Sequence, residues 1–250
     1  MPEHNRETEY RLAREVQQLL LPKGSPYCDW YCMAIQNRMA RDLGGDYFEF
    51  LTMPDDCQSI LIGDVTGHGL HASVVMALLY GFIHHSTTGG CAPLEMMSRV
   101  NTFLRSFARR SQRLDHHFST TLFYAIIDPD SLVCHYINAG HVPPLVKRGH
   151  TITRLGTTSP PLGFFDDPEM ELSSFQFEKG DRLLMYTDGV TETTNAAGEL
   201  YGEGRLLKLL EEFEGDHLAF LEKLDKDMQA FGLIEPVEDD CTTIVVDFSH

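Results

Sequence analysis

The chain has 250 residues, of which 42% are hydrophobic and 23% charged, and its formal net charge is −17. That length and composition suit one large globular domain, with or without a short appendage. The acidic balance argues against a nucleic-acid partner, which normally requires a basic face, and the longest apolar run is too short to span a bilayer.

The N-terminal segment is predicted to form an amphipathic helix over residues 6–21. Leu12, Val16, Leu19 and Leu20 fall at i, i+4, i+7 and i+8, and Pro22 follows the helix. A helix this short is marginal alone in water, so we expect it to pack on the domain, on its own copy or on an upstream partner. We divide the chain into an N-terminal linker or regulatory helix, 1–24, and one folded domain, 25–250. The polar start does not resemble a signal peptide, and we expect a cytoplasmic protein with no membrane contact.

The remainder of the chain is predicted to contain mainly hairpins, with helices in two pairs. Turn residues at 128–131 and at 148–149 separate strand pairs of apolar and β-branched residues. The predicted strands are 30–35, 47–52, 58–65, 119–128, 132–140, two around 148–149, 181–189 and 241–248, and the predicted helices after the first are 70–86, 92–110, 203–213 and 216–231. Because hairpins dominate, the sheets should be largely antiparallel, packed on each other with helix pairs outside.

Acidic residues recur at the ends of the predicted strands, and three of the four sites adjoin glycine. They are Asp46, Asp64, Asp188 and the pair Asp239–Asp240. One such aspartate is usually a turn residue, because its side chain bonds to its own backbone. Several together repel one another unless a cation neutralises them. Hard divalent cations such as Mg²⁺ and Mn²⁺ prefer oxygen ligands, so the four sites together favour a divalent-cation site. Two such ions can share one water and acidify it.

Other catalytic patterns are weak or missing. The sequence contains neither G-x-S-x-G nor G-x-x-x-x-G-K-[ST], which leaves a serine-hydrolase elbow and a nucleotide-binding loop without support. His68 and His71 are three residues apart but lack a further ligand set for zinc. His141 is interpreted either as a group that supports the site from behind or as a turn residue.

Eight segments in order resemble the bacterial PP2C-like (PPM) serine/threonine phosphatases of the stage II sporulation E and RsbU-type branch. The resemblance spans residues 11–248 and rests on the segments AREVQQLLLP, ARDLGGDYFEF, IGDVTGHGLHASVVMA, STTLFYAIID, YINAGHVPPLV, PLGFF, GDRLLMYTDGVTETTNAAGELYG and DDCTTIVV. It implies an α+β fold, an αββα sandwich of two mainly antiparallel sheets flanked by helix pairs. Residues 25–250 would then be the phosphatase catalytic domain.

The resemblance also implies two Mn²⁺ or Mg²⁺ ions and their ligands. Asp46 and Asp64 would be the catalytic residues and would contact or bridge the ions, and the backbone carbonyl of Val65 would complete one shell. Asp188 and Asp239 would hold the second ion, with Asp240 the second choice for the last ligand. Two further residues bear on the match: Glu49 stands where the family often has aspartate, and Arg41 is either a surface charge or a phosphate contact.

The function implied is hydrolysis of phosphoserine or phosphothreonine by a metal-activated water, in a signalling or stress-response switch. The implied substrate is a STAS-domain anti-sigma factor antagonist, and an upstream sensor or regulator is a further expected partner. Our hypothesis is that the N-terminal helix forms a homodimer and biases the helices at 70–86 and 92–110. The alternative reading is a catalytically silent PP2C-like module that binds or scaffolds other proteins.

Overall fold

The computed structural model describes residues 3–24, 29–40, 42–53, 56–87, 92–110 and 118–249, with side chains from residue 8 onward. Arg41 lies outside these ranges. The elements are α1 (Glu3–Leu20), β1 (Tyr31–Arg38), β2 (Asp46–Thr52), β3 (Gln58–Val65), α2 (Leu70–Ser86), α3 (Pro93–Ala108), β4 (Thr120–Ile127), β5 (Val133–Ala139), β6 (Leu145–Arg148), β7 (Thr151–Arg154), β8 (Ser173–Gln176), β9 (Arg182–Tyr186), α4 (Asp188–Glu192), α5 (Glu203–Glu212), α6 (His217–Phe231) and β10 (Cys241–Phe248).

The strands form two five-stranded sheets, as predicted from the hairpins. One sheet, here the β10 sheet, has the order β1-β10-β9-β6-β7, and the other, the β3 sheet, has the order β2-β3-β4-β5-β8. Every pairing between these strands is antiparallel. Each sheet therefore contains strands from distant parts of the sequence, and the closing strand β10 lies between β1 and β9.

Apolar side chains are buried at three interfaces: between α2–α3 and the β3 sheet, between the two sheets, and between the β10 sheet and α6. This arrangement confirms the predicted αββα sandwich. Ile244 and Val246 of β10 belong to the cluster that also contains the inner residues of the β3 sheet and the buried faces of α2 and α3. Val245, between them, points outward and packs with Phe220 and Leu224 of α6. Side chains of a strand alternate between the two faces of its sheet, so β10 contributes both to the interface between the sheets and to the interface with α6. Each fully buried apolar side chain of this size contributes about 1.5–3 kcal/mol.

Two short elements were not predicted from the sequence. The edge strand β8 has only four residues, Ser173–Gln176, and its side chains alternate between half-buried and exposed, so it lacks a strong apolar pattern. The strand predicted over 181–189 ends at Tyr186, and α4 begins at Asp188. Asp188 therefore stands in the first turn of a five-residue helix instead of ending a strand. One helical turn is too short to produce a detectable hydrophobic period.

The apolar stripe of α1 remains largely exposed to solvent, although Leu12 and Val16 line a groove beside α2. Leu12, Val16 and Leu19 are 53%, 60% and 72% exposed, whereas Gln17 is 4% exposed. The helix lies against α2, and a largely apolar groove runs between the two. The prediction that α1 packs on the domain is confirmed, but the buried contact is polar. None of the helices in the described ranges has the length and hydrophobicity of a membrane span.

Candidate active site

Asp46 and Asp64 lie opposite each other on β2 and β3. Directly paired residues of neighbouring strands project from the same face of a sheet, and this face meets the β10 sheet. The Asp46 carboxylate is buried and accepts hydrogen bonds from the hydroxyl groups of Thr242, at 2.6 Å, and Thr187, at 2.9 Å. Thr242 belongs to β10 and Thr187 follows β9. Asp46 thus connects the two sheets at the point where their strands end.

Gly45 lies against two of the predicted metal ligands. A β-carbon at this position would lie 3.0 Å from a carboxylate oxygen of Asp64 and 3.0 Å from the carbonyl oxygen of Val65. Such a contact is tighter than most real β-carbon contacts, so glycine lets the backbone approach both oxygens. The amide of Val65 also donates to the Gly45 carbonyl at 3.4 Å. The predicted ligands Asp64 and Val65 therefore share one wall of the site.

The adjacent residues Asp239 and Asp240 have different surroundings. Asp240 is buried, and its two carboxylate oxygens accept from the amides of Ala40, at 2.9 Å, and Gly45, at 2.7 Å. Asp239 is exposed, and one of its oxygens accepts from the Asp240 amide at 2.9 Å. Because backbone donors already engage both oxygens of Asp240, this difference favours Asp239 as the ligand, in agreement with the order given by the sequence resemblance.

Electrostatic repulsion links the carboxylates. Burial raises the pKa of Asp64 to about 8, with further contributions from Asp188, Asp239 and Asp240. Burial also raises the pKa of Asp46 well above its usual range, and the charges of Asp64 and Asp240 add to the shift. The pKa of Asp188 is raised by burial and then by Asp239. Carboxylates that disfavour each other's ionisation in this way are stabilised by a nearby cation.

The residues present fit divalent cations in the chemistry of their donors. Carboxylate and carbonyl oxygens are the ligands that Mn²⁺ and Mg²⁺ prefer. Because Gly45 has no side chain, it leaves space beside the Asp64 carboxylate and the Val65 carbonyl. Within the described ranges, no three histidine, cysteine, aspartate or glutamate side chains already converge on one metal position. The assignment of individual ligands to individual ions stays a prediction.

The structure gives the contacts of Glu49 and His141, whose roles the sequence did not decide. Glu49 is buried and accepts from the hydroxyl of Tyr80 on α2, on the opposite face of β2 from Asp46. His141 is buried, with its Nδ1 3.0 Å from the hydroxyl of Thr121, the strand partner of Asp64. Burial lowers the pKa of His141 to about 4, so its ring is neutral at pH 7. For His141, the contact with Thr121 favours a role in supporting the site next to Asp64 over the role of a turn residue.

Two site residues were missed by the sequence reasoning. Thr187 and Thr242 hold Asp46 from the opposite sheet, and the Thr187 hydroxyl also accepts from the Thr242 amide at 3.0 Å. Threonine is common in strands, so nothing in the residue type marks these positions. Their nearness in sequence to Asp188 and Asp239 was the available signal.

Comparisons with known proteins agree with the fold and with the motifs. The family model described as stage II sporulation protein E (SpoIIE) matches residues 54–249. Phosphoserine phosphatase RsbP of Bacillus subtilis (strain 168) is 31% identical over 196 residues, which cover 76% of this chain and 47% of that protein. Phosphoserine phosphatase RsbU of the same organism is 28% identical over 207 residues, covering 82% of this chain and 59% of that protein.

A solved structure matches over the whole chain. The SiaA-PP2C domain of Pseudomonas aeruginosa superposes with a TM-score of 0.82 at 16% sequence identity, and the match covers 100% of both chains. At that identity the likeness concerns the fold, which is the PP2C-like sandwich. The chain spans about half the length of the curated relatives it matches.

Proposed function

Because the chain belongs to the stage II sporulation protein E family, we propose that it is a metal-dependent phosphatase that hydrolyses phosphoserine or phosphothreonine in a protein substrate. The observation that carries the proposal is the group of mutually repelling carboxylates, Asp46, Asp64, Asp188 and Asp239, gathered where the two sheets meet. Raised pKa values at neighbouring carboxylates, as at Asp46, Asp64 and Asp188, are typical of a functional site.

Asp46 and Asp64 would contact or bridge two Mn²⁺ or Mg²⁺ ions, together with the Val65 carbonyl, and Asp188 and Asp239 would hold the second ion. Bound there, such ions would supply an activated water and neutralise charge on the phosphoryl oxygens. The reaction without a catalyst is among the slowest known, so the site must lower the barrier by roughly 20 kcal/mol or more.

The chain's own residues hold this arrangement in place. The hydroxyls of Thr187 and Thr242 fix the orientation of the buried Asp46 carboxylate. The backbone amides of Ala40 and Gly45 fix Asp240, whose negative charge adds to the potential at Asp64. A site held by buried hydrogen bonds keeps its charged groups oriented before the substrate arrives.

The substrate class follows from analogy within the family. RsbP and RsbU are named phosphoserine phosphatases, and we propose a phosphorylated STAS-domain anti-sigma factor antagonist as the substrate, in a cytoplasmic signalling switch. Residues 1–24 would form the regulatory segment and 25–250 the catalytic domain. The exposed apolar stripe of α1, Leu12, Val16 and Leu19, supports a role in homodimer formation or in contact with a regulator.

The test is hydrolysis of p-nitrophenyl phosphate with Mn²⁺, with Mg²⁺ and with EDTA. Asp64→Asn, an isosteric change, should abolish turnover and leave the fold intact. Asp167→Asn is the matched control, because Asp167 is exposed and lies in the loop before β8. Phosphoserine peptide, phosphotyrosine peptide and a phosphodiester then separate the substrate classes. Turnover that persists in EDTA or in Asp64→Asn would refute the proposal, and Mn²⁺ binding without turnover under any condition would favour the silent module.

A further inference from the structure

The side chain by which α1 is buried against the domain is polar. Among the described side chains of this helix, residues 8–20, Gln17 alone is buried, and it is 4% exposed. Burying an amide costs free energy unless both its donor and its acceptor find partners. A polar residue in this position of an otherwise amphipathic helix therefore points to a specific contact.

That contact is with the backbone of Gly44. The Gln17 side chain donates from Nε2 to the Gly44 carbonyl at 2.7 Å, and its Oε1 accepts from the Gly44 amide at 3.1 Å. One side chain thus satisfies both polar groups of a residue 27 positions away. Two hydrogen bonds from one planar amide fix the orientation of the glycine as well as its position.

The backbone that Gln17 holds is part of the carboxylate site. The next amide, of Gly45, donates to Asp240 at 2.7 Å. Gly45 also lies against the Asp64 carboxylate and the Val65 carbonyl, as described above. A pair of glycines has wide conformational freedom and no side chain with which to anchor itself. The ordering of Gly44–Gly45 must therefore come from outside, and on the side facing α1 it comes from Gln17.

We propose that Gln17 is a positioning residue for the metal site, which couples the placement of α1 to the geometry of Asp64 and Val65. The inference rests on the proposed function, since it concerns the affinity of that site for a divalent cation. Loss of the two hydrogen bonds leaves both polar groups of Gly44 without these partners and frees the backbone that leads into Gly45. Groups that support metal ligands from behind typically change metal affinity 10–100-fold when they are mutated.

The experiment compares Gln17→Met with Gln18→Met in the full chain. Methionine has a similar length and helix propensity to glutamine but forms no comparable hydrogen bonds. Gln18 is exposed on the same helix, so its replacement controls for the change in composition. Calorimetry gives the Kd for Mn²⁺, and thermal unfolding gives Tm with and without Mn²⁺. Gln17→Met should weaken Mn²⁺ binding at least tenfold and reduce the Mn²⁺-induced rise in Tm, and Gln18→Met should change neither.

Gln17→Glu provides a second variant if the methionine variant does not fold. The carboxylate keeps an acceptor for the Gly44 amide but places an oxygen, which cannot donate, against the Gly44 carbonyl. Mn²⁺ binding should therefore weaken more than twofold relative to wild type. A role limited to anchoring the helix would lower Tm equally with and without Mn²⁺ and leave the Kd within twofold of wild type. That result in either variant overturns the inference alone. Wild-type protein that binds no Mn²⁺ would overturn the proposed function as well.

Discussion

Asp46 and Asp64 are direct cross-strand partners, and their carboxylates project from the same face of the β3 sheet. Like charges directly opposite each other destabilise a sheet, and here the repulsion acts where both groups are largely removed from water. The register of two strands therefore imposes an electrostatic cost on the folded state, which a divalent cation at this position would offset.

The first prediction concerns the pH dependence of stability in the metal-free protein. The pKa of Asp64 is about 8 in the folded chain against an ordinary value of 3.8. Between these values the folded state binds more protons than the unfolded state, so this group's contribution makes stability fall as pH rises from about 4 to about 8. Asp64→Asn removes this contribution. In EDTA, the Tm of the variant relative to wild type should therefore rise between pH 5 and pH 8.

Asp167→Asn serves as the control for that comparison, because its side chain is exposed. A Tm difference between Asp64→Asn and wild type that stays constant across this pH range would contradict the raised pKa of Asp64. Calorimetry of Mn²⁺ binding in two buffers of different ionisation enthalpy offers an independent check. Wild type should release protons on binding Mn²⁺ near pH 7, since the ligands must be deprotonated.

The second prediction separates the adjacent residues Asp239 and Asp240. In wild type the Asp240 carboxylate accepts from the backbone N–H groups of Ala40 and Gly45. In Asp240→Asn the side-chain NH₂ group faces one of these two donors and cannot accept from it. A buried donor left unsatisfied costs about 1–3 kcal/mol, so the free energy of unfolding should fall by that amount. Asp239→Asn alters an exposed side chain and should change stability by less than about 0.5 kcal/mol, yet it should abolish tight Mn²⁺ binding.

Urea denaturation in EDTA and Mn²⁺ calorimetry on the two variants measure these effects. The reverse pattern, with Asp239→Asn unstable and Asp240→Asn unable to bind Mn²⁺, would exchange the roles of the two carboxylates.

The third prediction tests the threonine that holds Asp46. Thr242→Val is nearly isosteric and removes the 2.6 Å hydrogen bond to the Asp46 carboxylate. That bond lowers the pKa of Asp46, so its loss should raise the pKa further and weaken Mn²⁺ binding about tenfold or more. Thr243→Val is the matched control, because Thr243 is buried at the next position of β10, where the side chain points to the opposite face. Equal Mn²⁺ affinities in the two variants would argue against a role for Thr242.

The fourth prediction concerns two helical glycines with opposite surroundings. A β-carbon on Gly189, in α4, would lie 2.2 Å from the backbone carbonyl oxygen of Asp240, whereas one on Gly81, in α2, would meet nothing within 4 Å. Gly189→Ala should therefore displace the segment that carries Asp239 and Asp240, lowering both stability and Mn²⁺ affinity. Gly81→Ala should stabilise the chain by up to about 1 kcal/mol, from helix propensity alone.

Urea denaturation of both glycine variants tests this pair. Stabilisation by Gly189→Ala would show that helix propensity outweighs the close approach of the Asp240 backbone.

Much of the fold could be predicted because its signals are local. The run of β-branched residues in β10 and the turn at Arg148–Gly149 are properties of short segments, and the predicted strand and hairpin are both confirmed. The edge strand β8 and the single turn α4 were missed because each is too short to establish a period. The predicted apolar stripe of α1 was found, but its amphipathic pattern could not say which face would be buried.

The sequence by itself determined the family, the two antiparallel sheets and the set of acidic residues, because turn chemistry, strand propensity and ordered motifs are properties of neighbouring residues. Tertiary structure decided how those acids differ. Asp240 is bonded by amides 200 and 195 positions away, and Asp46 by hydroxyls 196 and 141 positions away. Gln17 is buried because it meets Gly44. Such contacts depend on where folding brings distant backbone donors, and no local pattern records that.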